Sequence, residues 1–346
     1  MLNQSELPEL VHKNADTLYS ITHIADFDGI GSAAMLAHYS KISTERIMFG
    51  NYSGEELARL RAEVEKAAPE NSLVIFSDLA MNDSKIDTVA ELLKMLKSSG
   101  NQIVWIDHHP WSEAAIAAAS EYCDFIIAGE NKDFCATELV FKHLYEPLGE
   151  DLEYGKRISE IAHLGDFNLK SEKYDKLLHS LAGAIAYMNY SRDISSLREM
   201  VAIVATGNLE NEFISRKYSY YLAELEKNMQ SFRESMRLYY ANDIKIGVAY
   251  GKRIQSTQAC GIISETLNSD ISVYIDAERG KLHFRSKPGI DCSKLAATLG
   301  GGGHPQASGA EIEGVVLDET EIKRAVDRLI ESAKDIYRGL PDAAPK

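Results

Sequence analysis

No long apolar run interrupts this sequence. Segments such as residues 73–76 (LVIF) and 103–106 (IVWI) are strand-sized, far short of the ~20 apolar residues of a membrane-spanning helix. The first thirteen residues mix Glu, Asn, His and Lys, with no basic flank before an apolar stretch, so no signal peptide is expected. Cysteine is scarce: Cys123, Cys135, Cys260 and Cys292 are scattered, and none forms a CxxC pair. That pattern argues against a zinc–thiolate site and reads most simply as reduced thiols, which sets the expectation of a cytoplasmic protein. A basic stripe is also lacking, and the formal net charge is −15. Such acidity argues against a tight grip on long nucleic-acid duplexes. Short oligonucleotides stay open, because bound metal ions supply local positive charge.

What is present is ample apolar material, 45% of 346 residues, enough for two cored domains. The first part alternates strands with helices. Residues 17–23 read as a strand that ends in a loop holding Asp26, Asp28 and Gly29; residues 31–40 then read as a helix. Apolar runs at 73–78, 103–107 and 125–128 read as further strands, with helical periodicity between Asp78 and Gly100. Short buried strands separated by helices imply a parallel α/β sheet, whose ligands bind at the carboxyl ends of the strands. Residues 135–160 and 174–240 read mostly as helix, broken at Gly207 and Asn208, and the polar stretch beyond Asn211 is expected to bridge two domains. Strands return at 244–250, 271–275 and 281–284, and residues 318–337 close as a helix before a tail, 339–346, expected to be disordered. The expected organisation is a parallel-sheet domain over residues 1–190, a helical linker over 191–242 and a smaller α/β domain over 243–340. No internal repeat is apparent.

The acidic and histidine residues gather at the expected strand ends. His23, Asp26 and Asp28 follow the first strand, Asp78 the second, and Asp107, His108 and His109 the third; Asp166 closes an apolar helical stretch. Each has an ordinary reading as well: an Asp-rich turn with Gly29 at positive φ, a strand terminator, a solvated loop, a helix C-terminus. Ionised carboxylates this close repel unless a cation sits between them. Together they form a set of oxygen and nitrogen donors without a thiolate, which suits Mn²⁺ or Mg²⁺. A carboxylate shared between two cations roughly 3.5–4 Å apart would make a two-metal hydrolytic centre.

A second signal is the run Gly300, Gly301, Gly302, Gly303 followed by His304. Consecutive glycines let backbone amides approach an anion closely. A flexible linker is the alternative, but the flanks read as a helix over 293–299 and a strand over 307–312, not as polar filler. Arg285 upstream is a candidate anion partner, or simply an exposed strand arginine.

Taken in order, these motifs resemble the DHH phosphoesterases, in the RecJ-like and nanoRNase-like branch that carries a C-terminal DHHA1 domain. Asp107-His108-His109 resembles the name-giving motif, and the glycine run with His304 resembles the DHHA1 signature; the likeness spans about residues 17–335. The resemblance implies that His23, Asp26 and Asp78 hold one cation. It implies that Asp28, Asp78, His108 and Asp166 hold the other, with Asp78 bridging. By the same likeness His109 faces the phosphate, Asp107 orients a histidine, and Arg285 and His304 bind substrate from the second domain. Two residues, Ile24 and Ala25, separate His23 from Asp26, where RecJ-like members usually carry one and nanoRNase or pyrophosphatase members three.

The function implied is hydrolysis of short oligonucleotides or linear dinucleotides such as pApA to mononucleotides, with two divalent cations, foremost Mn²⁺, with Mg²⁺ or Co²⁺ as alternatives. Expected partners are a short single-stranded oligonucleotide or dinucleotide and no membrane, with a homodimer left open. Rival readings are a phosphohydrolase of cyclic dinucleotides, adenosine bisphosphate or polyphosphate, and an inactive nucleic-acid-binding partner of replication complexes.

Overall fold

The computed structural model describes residues 3–51, 54–129, 133–312 and 318–338. The chain divides into two compact units, Met1–Tyr220 and Tyr221–Lys346.

The first unit is built on five strands: β1 (Leu18–His23), β2 (Ile47–Gly50), β3 (Leu73–Ser77), β4 (Gln102–Ile106) and β5 (Phe125–Ile127). They pair in the order β2-β1-β3-β4-β5, every pair parallel. Alternate residues of one strand feed opposite cores. Leu73 and Ile75 pack with Ile30, Ala34 and Leu139, whereas Val74 and Phe76 pack with Leu92, Leu93 and Leu96. Burial on both faces explains why β3 and β4 read as unbroken apolar runs instead of alternating ones. The chain leaves β1 for β2 on one side and returns to β3 on the other. The carboxyl ends of β1 and β3 therefore flank the point where the strand order reverses, where open α/β sheets bind their ligands.

The sequence reading put Asp26, Asp28 and Gly29 in a loop and started the helix at Gly31. The helix instead spans Phe27–Tyr39, with Asp26 as its N-cap and Asp28 in its first turn. The early start is set by Asp26, whose carboxylate accepts the Gly29 amide at 3.3 Å. Gly29 has no positive φ. A side chain there would begin 2.1 Å from the carbonyl oxygen of His23, so glycine is required for close approach of helix to strand. Elements of the unit without a clear sequence signal include the helix Leu7–Lys13, β2, the helix Gly54–Ala67 and the helix Glu113–Ser120.

The expected helical stretch over 174–240 is three helices, Asp175–Tyr190, Ile194–Ala205 and Glu212–Ser235. Its last residues are a strand, β6 (Arg237–Ala241), which pairs antiparallel with β7 (Ile244–Gly251). With β8 (Ile271–Asp276), β9 (Lys281–Ser286), β10 (Gly302–His304) and β11 (Ala307–Glu311) they form a sheet of order β10-β11-β9-β8-β7-β6, in which only β7 and β8 run parallel. Ile246, Val273 and Phe284 meet Leu295 and Leu329 in its core. The helix Glu319–Ile336 starts at a capping box between Asp318 and Glu321. The tail 339–346, expected to be disordered, lies outside the described residues. No helix among the described residues is long and apolar enough to cross a membrane.

Candidate metal centre

The carboxyl ends of β1, β3 and β4 bring together every candidate ligand of the first unit. His23 is the last residue of β1, Asp78 follows β3, and Asp107, His108 and His109 follow β4. Asp26 and Asp28 enter on the helix Phe27–Tyr39, and Asp166 is the last residue of the helix Leu152–Asp166. Three sets of donors result, each with its ligand atoms within 4.8 Å of one another: His23, Asp26 and Asp78; Asp28, His108 and Asp166; and Asp78, Asp107, His108 and His109.

Asp78 sits between the sets. Its Oδ2 is 3.5 Å from His23 Nδ1, and its Oδ1 is 3.6 Å from His108 Nε2. Its φ is +57°, a left-handed conformation that costs a non-glycine residue roughly 1 kcal/mol or more and is found where a site demands it. On the first side, Asp26 Oδ2 approaches His23 Nδ1 at 3.2 Å, so two intervening residues suffice to bring both donors to one place. On the second, His108 Nε2 faces Asp28 Oδ2 at 3.8 Å, Asp78 Oδ1 at 3.6 Å and Asp166 Oδ2 at 3.7 Å. That nitrogen is buried and makes no hydrogen bond. A divalent cation with ~2.1 Å bonds sets neighbouring ligand atoms about 3–4 Å apart. The orphaned nitrogen and its three carboxylate neighbours fit such an ion.

The supporting shell was invisible to the sequence reading. Asp28 receives the amides of Ala136 and Thr137, each at 2.7 Å, at the start of the helix Ala136–Val140. A helix N-terminus thus orients a buried carboxylate supplied from 108 residues earlier in the chain. Asp107 accepts from His109 Nδ1 at 2.8 Å and from the Trp111 indole at 2.7 Å. No local pattern marks Thr137 or Trp111, because each acts through a contact that only the fold creates.

Charge crowding shows in the protonation of the cluster. Burial disfavours the charged form of His108. Its contact with Asp78 and the charges of Asp28, Asp166 and Asp78 override this and raise the imidazole to about 10. Burial pushes Asp166 up to about 6 against the pull of His108, with Asp78 and Asp26 adding repulsion. Asp28 is raised as well, by burial and by the Asp78 and Asp166 carboxylates. Asp107 moves the other way: burial opposes its charge, but the His109 hydrogen bond holds it ionised.

Residues 17–165 match the DHH family, N-terminal domain, and residues 244–336 match the DHHA1 domain. The chain belongs to the DHH phosphoesterase family. It is 33% identical over 87 residues to the bifunctional oligoribonuclease and PAP phosphatase NrnA of Thermus thermophilus, a match that spans 25% of this chain and 25% of that relative. Among solved structures, it resembles an exopolyphosphatase-related protein from Bacteroides fragilis, with 18% identity, 96% of this chain and 97% of that one covered and a TM-score of 0.57. It also resembles the DHH domain of a member of a family of ribosomal proteins, with 16% identity, 94% and 89% covered and a TM-score of 0.59. At these identities the two structures show a shared fold.

In the DHHA1 domain the glycine run divides into two parts. Gly300, at φ +79°, and Gly301 end the helix Ser293–Thr298; their amides donate to Ala297 O at 3.1 Å and Ala296 O at 2.9 Å, the paired bonds of a Schellman stop. Gly302 and Gly303 enter the edge strand β10 with His304, which pairs with Ala307 and is exposed. At least these first two amides are therefore already bonded within the chain. Arg285, on β9, donates to the carbonyl of Phe284 at 3.0 Å and to Thr257 Oγ1 at 3.4 Å.

Proposed function

We propose that this protein hydrolyses phosphodiester bonds of short oligonucleotides or linear dinucleotides, releasing mononucleotides, with two divalent cations in the first unit. The observation that carries this reading is the division of Asp78, one carboxylate oxygen toward His23 and the other toward His108. His23, Asp26 and Asp78 would hold one cation; Asp28, Asp78, His108 and Asp166 the other. When bound, the cations supply Lewis acidity, an activated water and neutralisation of phosphate charge. The chain's own part is placement. Asp107 sets the tilt of His109 and, against the burial that opposes it, favours the imidazolium, whose Nε2–H would donate to a phosphate oxygen as charge develops there. Arg285 and His304 are the candidate contacts of the DHHA1 domain to a neighbouring phosphate or base. The short-substrate reading rests on the acidic charge and on the NrnA likeness. The carboxylate-rich, thiolate-free donor set suits Mn²⁺, with Mg²⁺ or Co²⁺ as alternatives.

The test is Mn²⁺-dependent hydrolysis of pApA, of RNA and DNA oligomers of graded length, and of cyclic di-AMP, adenosine bisphosphate, pyrophosphate and polyphosphate. Fastest mononucleotide release from the shortest oligomers supports the proposal. Faster turnover of one of the other phosphates reassigns the substrate. Unchanged turnover in Asp78→Ala would sink the two-cation reading altogether.

A further inference from the structure

One turn before Asp166, on the same face of the helix Leu152–Asp166, stands His163. Its Nδ1 donates to Glu138 Oε2 at 2.8 Å. The same carboxylate oxygen accepts the Cys135 amide at 2.8 Å and so completes the capping box of the helix Ala136–Val140, whose first amides hold Asp28. The His163 ring lies 4.6 Å from that of Phe167, which in turn stands edge-on to His108 at 6.3 Å. The side chain is 29% exposed, and no described residue bonds its Nε2. Here a carboxylate fixes one nitrogen, and the partly exposed ring stands one turn from Asp166 of the ligand cluster. A carboxylate-oriented imidazole is a recurring way to aim a ring at a reacting group.

We propose that His163, held by Glu138 through Nδ1–H, is a substrate-contacting residue that binds as the imidazolium and donates Nε2–H to a phosphate oxygen beside the metal-ligand set. The assignment rests on the phosphoesterase reading above and adds a contact outside the eight clustered residues His23, Asp26, Asp28, Asp78, Asp107, His108, His109 and Asp166. Because the ring is no cation ligand, its loss separates from loss of metal. Steady-state kinetics of His163→Ala on the best substrate of the panel, alongside Mn²⁺ uptake by equilibrium dialysis, decide the matter. The expected result is a KM raised tenfold or more, Mn²⁺ uptake equal to wild type, and partial recovery on addition of free imidazole. Glu138→Gln shifts KM in the same direction by less. Kinetics within twofold of wild type, or a loss of activity that tracks a loss of Mn²⁺, would overturn the proposal while leaving the two-cation reading in place; that reading falls separately, on Asp78→Ala. If His163→Ala does not fold, ¹⁵N-histidine spectra of the wild-type protein loaded with Mg²⁺ give the answer. Inorganic phosphate shifts the His163 Nε2 resonance if the contact exists, and an unmoved resonance overturns it.

Discussion

Asp107 grips His109 at 2.8 Å with one carboxylate oxygen and holds Trp111 at 2.7 Å with the other. Both oxygens are committed, and the residue is almost wholly buried. The pair leaves His109 one orientation. In Asp107→Asn an amide NH₂ must face one of those two donors, and the grip is lost. Removal of such an orienting partner costs about 10–100-fold in activity. The expected outcome is a kcat reduced on that scale with Mn²⁺ affinity less affected, checked by kinetics and dialysis on one preparation. Trp111→Phe removes only the second donor and lowers kcat by less.

Mn²⁺ binding should stabilise the first unit measurably. The cluster crowds Asp28, Asp78 and Asp166 around one imidazole at 3.6–3.8 Å. A ligand at a thousandfold excess over its Kd stabilises by about 4 kcal/mol. For a unit of this size that is on the order of 10 °C in melting temperature. Differential scanning fluorimetry with Mn²⁺ against EDTA checks it. His108→Ala, which removes a ligand of the second cation only, should show a smaller gap between the two conditions than wild type.

The ligands at strand ends were legible because each strand advertises itself locally. An apolar run buried on both faces stops at a polar residue, as LVIFS stops at Asp78 and QIVWI at Asp107. Other elements lack that contrast. β2 has four residues, the helix Gly54–Ala67 buries only Leu60 and Val64 along a charged surface, and β6 is an edge strand whose residues are mostly exposed or half-buried. The shell around the candidate site was the least legible part. Thr137 binds Asp28 across 109 residues of sequence, and no periodicity encodes a contact of that range.

Gly29→Ala tests whether the strand-to-helix junction holds the first ligand set in place. The added methyl would begin 2.1 Å from the His23 carbonyl oxygen, so backbone must move. Forced displacement of this kind costs roughly 1–3 kcal/mol. The displaced backbone carries His23 and Asp26. Denaturant melts should show the destabilisation, and Mn²⁺ titration should show a weakened site beyond it. A variant that is less stable but binds Mn²⁺ normally would place the ligands independently of that junction.

In the second unit, His283 predicts an acid-side loss of stability. The ring lies against Tyr274, with centroids 6.0 Å apart. Burial, with Lys281, Arg285 and Arg279 nearby, pushes the imidazole down to about 3. Because the folded value lies below the ordinary 6.5, the unfolded chain takes up the proton first as pH falls. The contribution of His283 is fully present above pH 6.5 and is lost progressively between 6.5 and 3. Urea midpoints of the full chain measured across that range should fall less steeply in His283→Gln. Parallel curves for the two proteins would remove His283 from the account.

The glycine run separates two kinds of effect that sequence alone merges. Gly300 and Gly301 spend their amides on the carbonyls of Ala297 and Ala296, so Gly300→Ala should act on stability. Its φ of +79° makes a side chain there cost roughly 1–2 kcal/mol. KM should stay within about twofold of wild type, since no amide available to substrate is lost. Arg285→Ala removes a charge whose hydrogen bonds among the described residues go to Phe284 O and Thr257 Oγ1. Its stability should change little and its KM should rise tenfold or more, because charged hydrogen bonds contribute about 1.5–3 kcal/mol. If the two variants exchange these phenotypes, the anion contact lies in the helix stop after all, and Arg285 is a strand residue that only packs.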